Sequence, residues 1–148
     1  MLGVIQDQNN LIMVEFEGPK VTLGITPSEL NTKLQDLSSV GKLLPPDSVK
    51  DFAADGNTCS FKVKGGVAIH LVKDTSSLEG DLILKMNTVA PTPVKFSLEV
   101  LASDHVSGCT CYVRSEADLN PFTRMMVEPA LKSLFEDMAK GMQSQFPA

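Results

Sequence analysis

Few side chains in this 148-residue sequence could carry covalent or proton-transfer chemistry, and their spacing limits what they can do. Cys59, Cys109, Cys111, His70 and His105 are the candidate nucleophiles, bases and soft metal ligands. Cys109 and Cys111 flank one residue in an alternating stretch. Both thiols therefore leave the same face of a strand, and a bond between them is sterically disfavoured. A Cys-Thr-Cys metal site needs two more ligands. Cys59, His70 and His105 stand singly, without the paired spacing such sites use, so no metal is assigned. The thiols read as reduced and partly buried, in a cytoplasmic protein. General acid–base catalysis needs a titrating group held at a reacting atom. His70 falls mid-strand on a face its neighbours leave ambiguous, and His105 falls in a turn; both read as surface or rim. Asp137 sits on a helix flank and reads as solvated. Arg124, in a first helical turn, is placed to meet an acidic ligand, although an ordinary surface role is simpler. Gly65-Gly66 precedes a strand rather than a helix, the wrong setting for a phosphate loop. No Ser-His-acid arrangement can be located. Enzymatic activity is left open, with no catalytic residue and no cofactor assigned.

The elements that would position any site are clearer. The length suits one domain able to bury a real core without disulfides or metal. Hydrophobic residues make up 43% and charged residues 21%, too apolar a balance for a disordered chain. A formal charge of -5 lacks the basic footprint of a nucleic-acid binder. No apolar run approaches the ~18 residues of a membrane-spanning helix. Residues 1–10 have neither a basic start nor a long apolar stretch, so they do not read as a signal peptide. Aromatics are 5%, Trp is absent and Met numbers 7, which predicts an aliphatic, methionine-rich core that can adapt its shape.

Ile12, Val14 and Phe16 alternate with Met13, Glu15 and Glu17, predicting a strand that Gly18-Pro19 breaks before Val21 and Leu23 resume. Thr26-Pro27-Ser28-Glu29 predicts a capped helix start, followed by Leu30, Leu34 and Leu37. Val40, Leu43 and Leu44 form a second short apolar piece that Pro45-Pro46 stops. A run of short alternating strands follows, with faces Cys59/Phe61/Val63, Val67/Ile69/Leu71, Leu82/Leu84/Met86 and Val94/Phe96/Leu98/Val100. Cys109 to Ala117 is the last, with Thr110, Tyr112, Arg114 and Glu116 on its other face. Tight turns between such strands predict an antiparallel meander, wet on one side.

Asn120-Pro121 then opens a helix to about Gln143, ~23 residues or ~34 Å long. A globule of this size has a radius of gyration near ~15 Å, so that helix must cross nearly the whole of it. Val127, Leu131, Leu134, Met138 and Met142 make one stripe, flanked by Ala130, Phe135 and Gly141. Glu128, Lys132, Glu136 and Lys140 lie opposite, as a solvated face. Pro129 removes a backbone bond and predicts a kink or a broken first turn.

The expected fold is thus α+β. A curved antiparallel sheet of about six to seven strands wraps a long C-terminal helix, and two short helices follow the first strand: a helix-grip arrangement. Leu119-Asn120-Pro121-Phe122, Met126-Val127, Pro129, Leu131 and Leu134 resemble the C-terminal signature of small bacterial proteins of the START-like, or SRPBCC, superfamily. Phe16-Glu17 to Val21, Leu37-Ser38, Leu43-Leu44-Pro45 and Val49-Lys50 carry the same resemblance earlier in the chain. It spans roughly Met13 to Met142, and it implies a domain at 13–148 with residues 1–12 an appendage. The larger relatives it brings in include pollen allergens, lipid-transfer domains, polyketide cyclases and co-chaperones that activate a heat-shock ATPase. Such a superfold shares a cavity rather than a chemistry.

Two functions follow as expectations. In the first, a small apolar molecule such as a lipid binds between sheet and helix. Phe61, Ile69, Leu84, Phe96, Leu98 and Val113 would line the site from the sheet. Met126, Ala130, Leu134, Met138 and Met142 would line it from the helix. In the second, the interior is filled and the chain is a co-chaperone-like interaction module, its protein partner unnamed.

Overall fold

The computed structural model describes residues 12–44, 49–63, 67–74, 79–89 and 95–148, apart from the side chains of Ile12, Val67, Phe122, Thr123 and Met126. In chain order the elements are β1 (Ile12–Glu17), β2 (Val21–Leu23), α1 (Pro27–Leu34), α2 (Ser38–Lys42), β3 (Val49–Asp55), β4 (Thr58–Val63), β5 (Val67–Lys73), β6 (Leu82–Thr88), β7 (Lys95–His105), β8 (Gly108–Leu119) and α3 (Pro121–Gln145). The strands form one antiparallel sheet ordered β1-β8-β7-β6-β5-β4-β3, with β2 also pairing β8. This is the α+β helix-grip architecture: a curved sheet, two short helices after the first strands, and one long C-terminal helix.

Alternation explains most of the strands. Val14 and Phe16 are buried while Glu15 and Glu17 are exposed. On β8, Cys109, Cys111, Val113, Ser115, Ala117 and Leu119 are all buried, as one face of a strand laid on a core must be. The outer face of β7 and β8 carries charge instead. The register sets Lys85, Glu99, Arg114 and Glu17 in one row across four strands, with alternating signs. Arg114 donates to both oxygens of Glu99 at 3.3 Å.

Two bulges alter the expected faces. On β6, the register shifts between Leu82 and Leu84, so Leu82 pairs Leu101 on the outer side and leaves the face shared by Leu84 and Met86. On β3, Asp51 takes φ 56° and two residues, Asp51 and Phe52, oppose the single Phe61. That extra residue turns Phe52 inward, where its ring stacks on Phe61 with centroids 6.1 Å apart. β3 is a sheet edge, and a bulge also blunts an edge against pairing with other chains.

α1 caps as expected. Thr26 accepts from the Glu29 backbone N–H at 3.1 Å, and Glu29 reaches back to the Thr26 N–H at 3.0 Å. α3 is two residues longer than expected and runs through Pro129 without a break. Proline there leaves the Met125 carbonyl without its helical donor. Met125 is 79% exposed and Pro129 is exposed, so water can take that carbonyl. β7 also outruns its expected end by three residues, reaching His105, because its hairpin with β8 stays paired up to Gly108. The turns at Pro45-Pro46, Gly65-Gly66 and Ala90–Pro93 lie outside the described residues, and most of the Asp74–Ser77 turn does too.

Candidate functional site

The interior between sheet and helix is built in rows. Leu84 pairs Val100, which pairs Val113. Met86 pairs Leu98. The register on either side, Phe96 with Ala117 and Glu99 with Arg114, sets Leu98 opposite Ser115, which in turn pairs Phe16. These residues share the inner face because side chains alternate with period two. All six expected sheet residues, Phe61, Ile69, Leu84, Phe96, Leu98 and Val113, are buried, and strand parity brings them to one face.

The helix contributes Leu131, Leu134, Phe135, Met138, Ala139 and Met142 as its buried residues. Leu134, Met138 and Met142 belong to the expected lining. Ala130 is only half-buried on the flank of that stripe, and the Met126 side chain lies outside the described residues. The expected lining omitted Leu131 and Phe135, although both stand in or beside the apolar stripe of the sequence. For Phe135 the signal is Gly18. A methyl group at Gly18 would sit 3.0 Å from the Phe135 Cβ, so strand and helix touch there almost backbone to side chain.

α3 packs chiefly on β8, β2 and β1, whereas α1 lies on β6 and β7 and α2 on β3. Methionine sulfurs bridge what remains. Cys111 Sγ lies 3.6 Å from Met142 Sδ, and Cys59 Sγ lies 4.0 Å from Met86 Sδ. Burial pushes the Cys59 thiol up to about 11 and the Cys111 thiol up to about 12, so neither is a thiolate nucleophile near neutrality. Cys109 is also raised, by burial first and by Asp104 second. Among the described residues, no group of three or more His, Cys, Asp or Glu could hold a metal ion.

Two polar atoms stand out against this apolar lining. Ser115 Oγ is buried with no hydrogen-bond partner among the described residues, and so is Asp137 Oδ2. Asp137, expected to be solvated, is half-buried, with that one carboxylate oxygen withdrawn from water. Ser115 pairs Phe16, two residues before the Gly18 that abuts Phe135, so it lies on the strands that α3 covers. The remaining candidates are engaged elsewhere. Arg124 pairs Glu128 at 3.2 Å, and His105 Nδ1 accepts from the Ser107 N–H at 3.1 Å. His70 is half-buried.

No family model matches the sequence, and no curated protein matches it either. The fold does match solved structures. Norcoclaurine synthase from Thalictrum flavum superposes with a TM-score of 0.68 at 14% identity, covering 95% of this chain and 90% of that one. A protein of unknown function from Staphylococcus aureus gives 0.60 at 12% identity, covering 91% and 96%. The di-domain ARO/CYC protein StfQ of the steffimycin biosynthetic pathway gives 0.63 at 14% identity; 95% of this chain covers 52% of that one. The chain therefore shares its helix-grip fold with these proteins, the fold that the resemblance of its terminal residues implied. At these identities the likeness extends to the fold alone. No helix among the described residues is long and apolar enough to cross a membrane.

Proposed function

We propose that the chain binds a small, mostly apolar molecule with a single polar group, a lipid or isoprenoid-like metabolite, between the sheet and α3. The observation that carries this reading is Ser115. A hydroxyl buried without a partner costs roughly 1–3 kcal/mol, and a ligand oxygen meeting it would recover that cost. Ligand sites commonly combine apolar walls with few polar groups, and Ser115 lies in an inner row with Met86, Leu98 and Phe16. Leu71, Met86, Val100, Val113 and Met142 have no exposed surface, so no water-sized space adjoins them. Binding must then displace side chains. Met86, Met138 and Met142 suit this, since an unbranched thioether re-packs around different shapes. Most affinity would come from area removed from water, about 25 cal/mol per Å² before ordering costs.

The test is uptake of an apolar fluorescent probe, with native mass spectrometry for a co-purified molecule. Ser115→Ala removes the hydroxyl without adding volume and is expected to weaken uptake about tenfold while the fold survives. Probe binding equal to that of the parent protein would overturn the reading. The same closed packing favours a second function, an interaction module whose filled core displays a partner surface.

A further inference from the structure

A surface groove of about 130 Å³ is lined by Lys33 and Leu34 of α1, Ser39, Lys42 and Leu43 of α2 and its end, and Gln145 and Phe146 at the end of α3. Its floor is fixed. Leu34 and Leu43 are buried, the Gly24 N–H donates to the Phe146 carbonyl at 3.0 Å, and Leu23 bridges Pro147. A methyl group at Gly24 would collide with the Pro147 carbonyl, so that junction is tight.

The walls are cationic in a chain whose formal charge is -5. Lys33 and Lys42 are both exposed, and among the described residues neither has a carboxylate within ion-pair distance. The acids closest in sequence are committed to the backbone. Glu29 holds the Thr26 N–H and hydroxyl at 3.0 and 3.1 Å, and Asp36 holds the Ser38 N–H and hydroxyl at 3.1 and 2.7 Å. Lys73 is committed too, donating to the Gln35 carbonyl at 3.0 Å. Lys33 and Lys42 act on Glu29 and Asp36 at longer range without being held in an ion pair, and Lys33 Nζ lies 5.7 Å from the Phe146 ring centroid. The groove has room for about one aliphatic side chain.

We propose that this groove docks a short acidic segment of a partner protein, one apolar side chain entering over Leu34, Leu43 and Phe146 while flanking carboxylates meet Lys33 and Lys42. The charge pattern makes the choice. The chain's formal charge of -5 opposes an acidic peptide overall, so these two lysines also orient it. The inference gives the interaction-module reading its surface and rests on that reading; it does not depend on an interior ligand.

The experiment is fluorescence anisotropy of the full chain with a fluorescein-labelled peptide of aspartates and glutamates around one central leucine. Saturable binding on the order of 100 µM, weakening with salt, is expected. The Lys33→Glu/Lys42→Glu variant, checked for unchanged melting, is expected to bind about tenfold more weakly. A peptide with glycine in place of leucine is expected to weaken as well. Lys95→Glu, on β7 opposite Asp118 and near the other end of α3, is expected to bind as the parent does. Unsaturable binding, equal affinity of the double-lysine variant, or equal affinity of the leucine-free peptide would each overturn the proposal. So would co-sedimentation with phosphatidylglycerol–phosphatidylcholine vesicles through the same lysines in the absence of peptide binding. A partner that still associates with the Lys33→Glu/Lys42→Glu variant would remove this surface while leaving an interaction module in place.

Discussion

The two halves of the sheet are covered in different ways. Beneath α3, strands β1, β2 and β8 meet the helix at close range. Gly18 faces Phe135, Ala139 is buried, and a methyl group at Gly141 would strike the Leu43 carbonyl of the chain after α2. The other half, β3 to β7, is covered by two short helices, a ring stack and methionine. Both halves exclude water. Only the first does so through small residues that fix distances, because nothing near a glycine can swing aside to fill a gap. The second relies on long, unbranched or planar side chains, which hold the same area dry in more than one arrangement. A fold built this way concentrates rigidity under the long helix and leaves adaptability toward the opposite edge.

The largest expected effect breaks the rigid half outright. Leu131 is 2% exposed at the centre of the α3 stripe. Leu131→Asp buries a carboxylate among aliphatic neighbours, a cost of several kcal/mol against a total stability of about 5–15 kcal/mol. Far-UV circular dichroism with urea titration is expected to show an unfolded chain in buffer. Melting like that of the parent would mean that α3 does not hold this half of the sheet.

The fold was largely legible from the sequence because its signals are local. The Thr26–Glu29 capping box, the Gly18-Pro19 break, the Asn120-Pro121 helix start and the alternation of β8 need only a few neighbouring residues to be read. What was misread depends on partners. The bulges at Asp51 and between Leu82 and Leu84 exist because of the strands they pair with, and no two-residue periodicity marks them. The persistence of α3 through Pro129 depends on that side of the helix being wet. Strand parity grouped the residues of each face and the apolar stripe of α3 marked its buried side, but the lining drawn from that stripe left out Leu131 and Phe135. Phe135 is held inward by the close approach of Gly18, a contact more than 100 residues distant in sequence. Ser115 carries no sequence signal, being one serine on an alternating strand. The lysine groove is equally silent, since its walls come from three separate elements.

The second prediction uses the thiols to sharpen the contrast between the halves. Cys59 lies on β4, next to the bulged edge strand β3; Cys111 lies on β8 against Met142 of the helix. Local opening is cheapest at edges with interrupted pairing, so Cys59 should react first with an aromatic disulfide reagent, by about tenfold in rate. Faster labelling of Cys111 would reverse the assignment of rigidity. The pH dependence has the same origin. Burial raises both thiols from an ordinary value of 9.0, Cys59 to about 11 and Cys111 to about 12. Below the unfolded value both states are protonated and the stability is fully present. As pH rises, the unfolded chain ionises first, and stability is lost progressively toward the folded values. The urea midpoint should therefore fall from about pH 8 to about pH 10, and less so in Cys59→Ala.

The smallest effect belongs to the adaptable half, where α1 is held on β6 and β7 by its cap. Thr26→Ala removes the hydroxyl that accepts the Glu29 N–H and should lower stability by about 1 kcal/mol, read as a shift in the urea midpoint. It should also change the acid limb. The Glu29 carboxyl is held below its usual 4.5 first by the Thr26 backbone N–H, then by the Thr26 hydroxyl, with Lys33 adding a smaller pull. A carboxyl lowered by folding contributes stability that is present above its unfolded value and lost as pH falls through the folded one. Removing the hydroxyl returns part of that shift, so the Glu29 titration followed by NMR should move toward 4.5 in Thr26→Ala. The loss of stability below the unfolded value should become shallower at the same time. Because α1 covers β6 and β7 while α3 covers β8, Cys59 labelling should quicken in this variant and Cys111 labelling should not. Equal acceleration at both thiols would show the two halves opening together, as a single cooperative unit, and the distinction between them would fail.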